Sequence, residues 1–498
     1  MKTYKYLLAF AATVALASCT QDFLDEQGRN PQAEGPRTIA VSFGPQTRTA
    51  LGQDGVTPKF ENGDEILVAT TPKEMTEEPK TEPCTISVDS KGNASFTTTL
   101  TGALTAYYPA SAAGEGEKIG FAIPAMQSGK FADANYAWAT IPADATAATF
   151  ENVFPLFVIT PPEGAKSLTI KSLPTIGGEG QRSGEPQEIC NDLDNPYTIT
   201  VKGTDTDGIY YVVLSDPVNL SDLSFDLQSE TAGQGWMLGI TEAQAGDNNA
   251  VLPNKAYKVG GAANWHEYVT VGDYKWATMN LGATAPTEPG DYFMWGAVEK
   301  AYTSLSNNTF TFGTKPSSYD NSTWDAEKGF SWENAPFTKG VFNDTDSKNV
   351  FTKYHGGLDL YSASTPPDNK SVLDLSDDAA YVNWGGAWRM PTITELSVSV
   401  LGNGEWNDEN KGSYFGKLFL PAAGFSAYNS GSDGTILVSA GMLGLYWSSS
   451  LVHGRADIVQ TRTFIYMGNM YTPDFSSMNT ALRCYGAPIR AIIDDTNL

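Results

Sequence analysis

From Thr38 to about Gly260 the sequence is a succession of short β-type segments separated by turn residues, with no helical periodicity of useful length. This pattern constrains the fold more than any other feature, because short strands at such spacing are typical of β-sandwiches. Glycine and proline occur 48 and 28 times, and both residue types favour the turns between such strands. The expected strands cover residues 38–43, 66–70, 85–88, 94–100, 106–108, 157–160, 168–173, 197–201, 209–214, 223–227 and 256–259.

Two consecutive prolines, Pro161 and Pro162, divide this stretch, because proline cannot donate to a strand ladder. We therefore predict two β-sandwich subdomains, over residues 38–160 and 161–260. Residues 261–498 differ in composition, since nine of the eleven tryptophans lie there among Gly, Ser, Asn and Asp. The expected fold class is an all-β N-terminal half followed by an α+β C-terminal domain.

The C-terminal domain contains two predicted helix starts. Thr392 and Glu395 have the spacing of a capping box, in which each side chain satisfies a free backbone N–H group of the other residue. Gly402 would end that helix. A second short helix is predicted to begin at Ser376, with acidic residues including Asp378 in its first turn, where they favour the helix dipole.

The first eighteen residues carry two lysines and then an apolar run, which is the layout of a secretory signal. Leu16–Cys19 resembles the bacterial lipobox, in which cleavage exposes a cysteine that receives acyl chains. We predict a signal peptide over 1–18, lipidation of Cys19 and a polar tether over 19–37, the alternative being an ordinary signal peptide with an incidental cysteine. The acidic residues behind Cys19 resemble the surface-export signal of Bacteroidetes lipoproteins, and anchoring is expected by lipid because no other apolar run reaches 18 residues.

The formal net charge of −25 makes most of the surface repel phosphate backbones, so no nucleic-acid partner is predicted. The three histidines, His266, His355 and His453, are far apart in sequence, which disfavours a multi-histidine metal centre. Neither a metal nor another cofactor is predicted.

Beyond Cys19, the chain has three cysteines with no CxxC spacing, so we expect buried free thiols rather than a zinc site or a redox pair. These are Cys84, Cys190 and Cys484.

Several short motifs in the N-terminal half resemble the Bacteroidetes fimbrillin superfamily, the subunits and tip proteins of lipoprotein-derived pili. The motifs are Thr47–Thr49, Phe60–Ile66, Tyr107–Pro109, Phe121–Gln127 and Leu252–Tyr257. The resemblance implies transthyretin-like sandwiches and assembly by donor-strand exchange. In that process an arginine-specific protease removes the first strand, and the vacated groove accepts a strand from another fimbrial subunit.

In this sequence the removable strand would be Thr38–Phe43, whose residues alternate as in a half-buried strand. Arg48 follows in what we expect to be a polar turn that a protease reaches, and we predict cleavage after it. Cutting at Arg29 or Arg37 would leave the strand in place. The alternative is that Arg48 is simply a solvated arginine at a turn.

Six ordered motifs in the C-terminal half resemble the Fibrobacter succinogenes major paralogous domain and, more distantly, lectin-like domains with a C-type-lectin-related fold. They are Tyr274–Leu281, Gly290–Gly296, Trp384–Thr392, Leu420–Gly424, Tyr446–Ser450 and Arg483–Cys484. Many relatives carry a cysteine near the position of Ala387, which is absent here, so Cys484 is expected to lack a disulfide partner.

The tryptophans of these motifs are expected to pack the core. They are Trp276, Trp295, Trp388 and Trp447. Trp324 and Trp332, set among polar residues, are the candidates for glycan contact, because sugar C–H faces pack on aromatic rings. A purely structural role for both is the alternative.

Taken with the resemblance, these features predict a fimbrial subunit that is located in the outer membrane and in the fimbrium. We expect it at the tip, because the sequence ends in a whole domain rather than in a strand that could be donated to a neighbour. Its C-terminal domain would bind a host or bacterial surface ligand. The alternative is a surface lipoprotein that binds polysaccharide without polymerising. No enzymatic activity is predicted, because no nucleophile elbow, phosphate-binding glycine loop or HExxH motif is present.

Overall fold

The computed structural model describes most of the chain after residue 34. The described ranges are 35–44, 47–48, 59–71, 78–113, 121, 123–172, 198–214, 218–246, 249–252, 255–261, 265–319, 323–338, 351–355, 367–429, 434–453, 457–467, 470–472 and 480–493. Cys19, Arg29 and Cys190 lie outside them, as do the predicted signal peptide and most of the tether. Within these ranges, no helix combines the length and apolarity needed to span a membrane.

The described residues of the first part of the chain form ten strands, and most of them belong to one eight-stranded sheet with the order β4-β3-β7-β9-β10-β1-β6-β5. The strands are β1 Arg37–Phe43, β2 Thr47–Arg48, β3 Glu65–Thr70, β4 Thr81–Thr85, β5 Ser87–Val88, β6 Ala94–Thr98, β7 Leu104–Tyr108, β8 Met126–Gln127, β9 Ala137–Ile141 and β10 Ala147–Asn152. Alternate residues of these strands point inward to a single core that includes Ile39, Ile66, Phe96, Leu104 and Phe150.

The described residues of the second part of the chain form strands β11 to β17 and the short helix α1. These are β11 Leu156–Thr160, β12 Ala165–Ser172, β13 Thr198–Val201, β14 Tyr210–Val213, β15 Leu223–Ser229, β16 Gln234–Gly239, α1 Glu242–Ala245 and β17 Lys255–Gly260. A four-stranded sheet with the order β14-β11-β17-β2 packs against the face of the sheet that holds β12, β13, β15 and β16. Pro161 and Pro162 lie between β11 and β12, so the strand before the prolines already belongs to this second unit.

The first and second units are tied together by the exchange of short strands. β2 pairs with β17, and β8 pairs with β13, so two strands from the first part of the chain extend the sheets of the second. A further core lies between the units and contains Phe121, Tyr136, Phe154, Leu156 and Val213.

The third part of the chain is also mainly β-structure, with short helices. Its elements are β18 His266–Val271, β19 Tyr274–Ala277, β20 Tyr302–Ser306, β21 Thr309–Phe312, α2 Ala379–Trp384, β22 Trp388–Arg389, α3 Ile393–Leu396, α4 Val398–Leu401, β23 Glu405–Asn407, β24 Gly412–Phe415, β25 Leu418–Pro421, β26 Phe425–Asn429, β27 Gly434–Val438, β28 Leu443–Leu451, β29 Ile458–Met467, β30 Met470–Thr472, β31 Thr480–Leu482 and β32 Ile492–Ile493. The prediction that the chain is rich in β-structure is therefore confirmed.

The helices differ in detail from the sequence prediction. The capping box of Thr392 and Glu395 is confirmed, but the helix divides at Ser397 into α3 and α4 before Gly402. The helix predicted from Ser376 begins later, because the carboxylate of Asp378 accepts hydrogen bonds from the backbone N–H groups of the first turn of α2 and so acts as its N-cap.

One nine-stranded sheet continues from the second unit into the third, with the order β22-β32-β19-β18-β16-β15-β12-β13-β8. The joint is the antiparallel pairing of β16 with β18, in which Gln234 lies opposite Val269 and Met237 opposite His266. The predicted domain boundary between residues 260 and 261 is thus bridged by backbone hydrogen bonds.

Side chains reinforce this joint. Asp226 on β15 accepts hydrogen bonds from the hydroxyl of Tyr268 at 2.8 Å and from the ammonium of Lys275 at 2.6 Å, and both donors belong to the third unit. Lys417 also donates to the carbonyl of Ala232 at 3.2 Å. Because Asp226 is buried, loss of one donor would leave a charge in a poorly solvated position.

Glycines allow the closest approach between the two units. A Cβ atom added to Gly239 would lie 2.2 Å from the carbonyl carbon of Gly385, and one added to Gly386 would lie 2.8 Å from the Cα of Gly239. We call this contact of Gly239 with Gly385 and Gly386 the glycine seam. Since backbone atoms occupy both sides, a side chain there cannot be accommodated by rotation of a neighbour.

The glycine seam predicts that Gly239→Ala lowers the free energy of unfolding by about 1–3 kcal/mol, because the new methyl group overpacks the contact. Gly203→Ala is the matched control, since an added Cβ at Gly203 meets nothing within 4 Å. Urea denaturation followed by tryptophan fluorescence measures both variants. Equal effects of the two substitutions would contradict the importance of the seam.

Candidate functional site: the groove that holds the first strand

β1 occupies an interior position of the eight-stranded sheet. It runs antiparallel to β6, with Ile39 opposite Phe96, and parallel to β10, with Val41 opposite Ala148. The backbone N–H of Ala40 donates to the carbonyl of Thr146 at 2.9 Å. Both edges of β1 are therefore hydrogen-bonded, and β10 and β6 meet only through it.

The inward residues of β1 fill a groove between these two strands. Ile39 is fully buried and Val41 nearly so, whereas Thr38, Ala40 and Ser42 are exposed. This alternation follows from the two-residue period of a strand with one face on the core. The sequence prediction of a half-buried strand over residues 38–43 is confirmed.

An aromatic cluster encloses the end of the groove. Phe43 stacks on Phe60 with ring centroids 4.3 Å apart, meets Tyr108 edge-on at 5.8 Å and lies tilted against Phe150 at 6.1 Å. Phe60 in turn contacts Phe150 at 5.1 Å. These offset and edge contacts add to the area-dependent stabilisation of burying the rings.

Arg37 holds the opposite end of β1. Its guanidinium donates to the carbonyl of Ala143 at 2.6 Å and to that of Gly102 at 2.8 Å. The hydroxyls of Thr38 and Thr97 lie 3.0 Å apart across the pair with β6. β1 is thus fixed at both ends as well as along its edges.

Arg48 lies in β2 rather than in the expected turn. Thr47 and Arg48 pair in parallel with Lys255 and Ala256 of β17, at the edge of the four-stranded sheet. The chain from β1 to β2 therefore crosses from the first unit to the second. A strand of two residues has few hydrogen bonds to lose, so local opening would expose this peptide segment at small cost.

The candidate glycan residues Trp324 and Trp332 are half-buried in the third unit. The indole N–H of Trp324 donates to the carbonyl of Gly313 at 3.0 Å, and its ring meets the edge of Tyr319. The ring of Trp332 meets that of Phe351 with centroids 5.9 Å apart. Both rings therefore pack against their surroundings, and both residues are partly buried.

The expectation that the motif tryptophans pack the core is confirmed, because all four are fully buried. They are Trp276, Trp295, Trp388 and Trp447. Trp295 donates to the carbonyl of Ser448 at 2.9 Å and Trp447 to that of Phe293 at 2.7 Å. Cys84 and Cys484 are buried free thiols, and burial raises the pKa of each. Among the described residues, no group of three His, Cys, Asp or Glu side chains is arranged to hold a metal ion.

The three histidines have different surroundings. His355 is buried, His453 is exposed in a turn, and His266 lies at the joint between the second and third units. The imidazole of His266 stacks on Trp384 with ring centroids 3.9 Å apart. Burial lowers the pKa of His266 to about 4, so the ring is neutral at physiological pH.

Sequence reasoning missed the cavity beside this stack. It is formed by residues from both units, among them Gln244, Lys258 and Asn383. No motif or spacing marks these residues, because they converge only through the pairing of β16 with β18 and the glycine seam. The one available signal was the Trp384–Gly386 motif, whose two glycines indicate a close approach of backbone.

Comparisons with known proteins return structural similarities only. No family model matches the chain, and no curated protein matches it. A fimbrial protein from Bacteroides ovatus ATCC 8483 is 12% identical with a TM-score of 0.27, over 92% of this chain and 99% of that one. A candidate cell adhesion protein from Bacteroides uniformis ATCC 8492 is 12% identical with a TM-score of 0.29, over 47% of this chain and 96% of that one.

A second candidate cell adhesion protein, from Bacteroides fragilis NCTC 9343, is 11% identical with a TM-score of 0.26 over 47% of this chain and 95% of that one. The structural neighbours are thus fimbrial and candidate adhesion proteins of Bacteroides. TM-scores below 0.5 at such identities do not establish a shared fold or a shared function.

The groove predicts unequal effects of substitutions on the two faces of β1. Ile39→Ala should lower the free energy of unfolding by about 2–5 kcal/mol, because it leaves a cavity in the core. The exposed Ser42→Ala should change it by less than about 0.5 kcal/mol. Urea denaturation of both variants provides the measurement, and a small effect of Ile39→Ala would show that β1 contributes little to this core.

The lowered pKa of His266 predicts an acid-dependent loss of stability. Below pH 6.5 the unfolded chain binds a proton that the folded chain does not bind until about pH 4, so stability decreases across this window. At pH 4 the loss from this group should reach about 3 kcal/mol. His266→Phe keeps a ring against Trp384 and removes the titration, so its stability should fall less between pH 7 and pH 4 than that of the wild type.

Denaturation midpoints at several pH values test this difference, with His453→Gln as the control for an exposed histidine. Parallel pH profiles of the wild type and His266→Phe would contradict the assignment.

Proposed function

We propose that this chain is an adhesive subunit of a fimbrium on the bacterial surface, in which proteolysis removes β1 and a strand from another subunit takes its place. The observation that carries the proposal is the position of β1. It is the first described strand, yet it lies inside a sheet with β6 on one edge and β10 on the other. Its loss would leave an open slot rather than a shortened sheet.

The slot would bind an incoming strand through two kinds of contact. The facing edges of β6 and β10 would present unpaired backbone N–H and C=O groups, which an extended segment satisfies. The sites of Ile39, Val41 and Phe43 would accept apolar side chains at alternate positions, each worth roughly 1.5–3 kcal/mol when fully buried. A strand that alternates in this way would bind by β-strand addition, in which backbone hydrogen bonds hold the strand and alternate side chains fill the pockets.

Cleavage after Arg48 would release more than β1. Because β2 ends at Arg48, its loss would also free the edge of β17 in the second unit. A donor segment could then follow the same path, first between β6 and β10 and then along β17. Cleavage at Arg29 or Arg37 would leave β1 in its slot.

The placement of β32 supports an accepting rather than a donating role. Ile492 and Ile493 are buried, and β32 pairs with β19 on one side and with β22 on the other. Releasing this strand would disrupt the nine-stranded sheet. We therefore propose a tip position, with the third unit as a lectin-like domain that faces outward and binds a surface ligand.

The proposal includes lipidation of Cys19 as the route to the outer membrane before processing. It assigns other fimbrial subunits as partners and no catalytic step. Trp324 and Trp332 are proposed for glycan contact, since each residue is only partly buried.

A second candidate function is a surface lipoprotein that binds polysaccharide without polymerising. The hydrogen bonds of Arg37 and the buried face of β1 favour it, because they stabilise the unprocessed form. The two functions differ in the fate of β1, which the N-terminus of the surface protein reports.

The N-terminal residue and mass of the protein from intact native cells test the proposal. Processed subunits should begin at Thr49. Arg48→Lys keeps the charge but removes the arginine, so this variant should retain an acylated Cys19 and should not assemble. Arg37→Lys is the matched control and should be processed like the wild type.

An acylated Cys19 start in assembled surface material from wild-type cells would contradict strand removal and favour the lipoprotein alternative. Cleavage of the Arg48→Lys variant at the same position would show that the protease does not require an arginine there.

A further inference from the structure

A cavity of about 370 Å³ opens at the joint between the second and third units, next to the glycine seam. We call it the seam cavity. The second unit contributes the ends of β16 and β17 together with Gln244 of α1, and the third contributes His266 of β18 with Asn383 and Trp384 of α2. The volume lies within the range of about 300–1,000 Å³ that is typical of small-molecule sites.

The seam cavity is lined by both hydrogen-bond donors and hydrogen-bond acceptors. In the described part of the chain, no partner contacts the ammonium of Lys258 or the two ring nitrogens of His266. The oxygen of Gln244 caps α1 by accepting from Thr241, which leaves its NH₂ group available. The NH₂ group of Asn383 donates to the carbonyls of Val298 and Ala379, which leaves its oxygen available.

These available groups suit a ligand with several hydroxyls. Each hydroxyl can donate and accept, so it can use the donors on Lys258 and Gln244 together with the acceptor on Asn383. A neutral imidazole offers one donor and one acceptor on the same ring, and burial keeps His266 neutral. An isolated ion would use only the donors or only the acceptors of this set.

Aromatic surface lies beside the polar groups. His266 stacks on Trp384 at 18° between ring planes, and Trp384 meets the edge of Trp388 with centroids 5.1 Å apart. These contacts fix the rings before any ligand arrives. Rigid aromatic surface next to polar groups is suited to the C–H faces of a sugar.

The electrostatic surroundings favour a neutral ligand over a carboxylated one. Tyr381 precedes Asn383 on α2, and its pKa is raised by burial and further by the negative charges of Asp222 and Glu242. Both carboxylates therefore lie near α2, and Glu242 also belongs to α1, the element that contributes Gln244 to the cavity. They oppose the single ammonium of Lys258, and the whole chain is strongly acidic.

We propose that the seam cavity is a binding site for a neutral saccharide unit, separate from Trp324 and Trp332. The site is assembled in the unprocessed chain and does not depend on strand exchange. Its walls belong to two units whose separation the β16–β18 pairing and the glycine seam fix, so it is preformed.

The test uses the purified full-length chain and the methyl glycosides of glucose, galactose, mannose and N-acetylglucosamine, with glucuronic acid as the charged comparator. Imidazole ¹H–¹⁵N signals report binding residue by residue. At least one neutral glycoside should shift the His266 signals, while those of His355 and His453 serve as internal references and should stay unchanged.

Two variants locate the site. Lys258→Met should weaken the binding of that glycoside about tenfold, and Lys255→Met on the same strand is the matched control outside the cavity. Gln244→Glu keeps the oxygen that caps α1 but loses the NH₂ donor, so it should weaken binding about fivefold. Thermal midpoints establish that the variants are folded.

The proposal is overturned if no neutral glycoside shifts the His266 signals at concentrations up to about 50 mM, far above a millimolar dissociation constant. It is also overturned if glucuronic acid shifts them at lower concentration than every neutral glycoside. Binding that Lys258→Met and Gln244→Glu both leave unchanged would place the saccharide elsewhere. None of these outcomes involves processing at Arg48, so they are independent of the fimbrial proposal.

Discussion

The first unit depends on the pairing of β1 with a neighbouring strand along each of its two edges. β6 and β10 do not pair with each other, so the eight-stranded sheet is continuous only because β1 lies between them. The same strand delivers Ile39 and Val41 to the core and Phe43 to the aromatic cluster. Sheet continuity and core filling therefore rest on one segment of seven residues.

The pairing of β1 with β10 is parallel and long-range, which affects how β1 is stabilised. The other neighbouring pairs in the first sheet are antiparallel, whereas β1 and β10 run parallel and are far apart in sequence. Their pairing closes a long loop, which costs conformational entropy that local hairpins do not incur. A strand held this way is stabilised by its fit to the slot and not by its connection to the neighbour.

Much of the β-structure could be predicted because alternation and turn residues are local signals. β1 and β11 lie within one residue of their expected bounds, and the capping box at Thr392 follows from two side chains three positions apart. Two strands rich in alanine, β9 and β10, escaped prediction because alanine has low strand propensity. β16 escaped because Gly235 and Gly239 interrupt its pattern.

The rest was not predictable from local signals because it depends on contacts between distant parts of the chain. Arg48 reads as a turn residue in isolation, and only its proximity to Ala256 of β17 makes it part of a strand. The seam cavity likewise exists because Lys258 and Asn383 are brought together by backbone pairing elsewhere. Sequence patterns identify individual strands and helices, whereas the seam cavity is formed by the packing of elements that are distant in sequence.

The continuous nine-stranded sheet has a mechanical consequence. A pull on the third unit reaches the second through the hydrogen-bond ladder of β16 with β18 as well as through the covalent chain. The buried pairing of Asp226 with Tyr268 and Lys275 shares that load. A tensile load would thus be distributed over several parallel contacts, and the third unit would move with the second as a stiff extension of the same sheet.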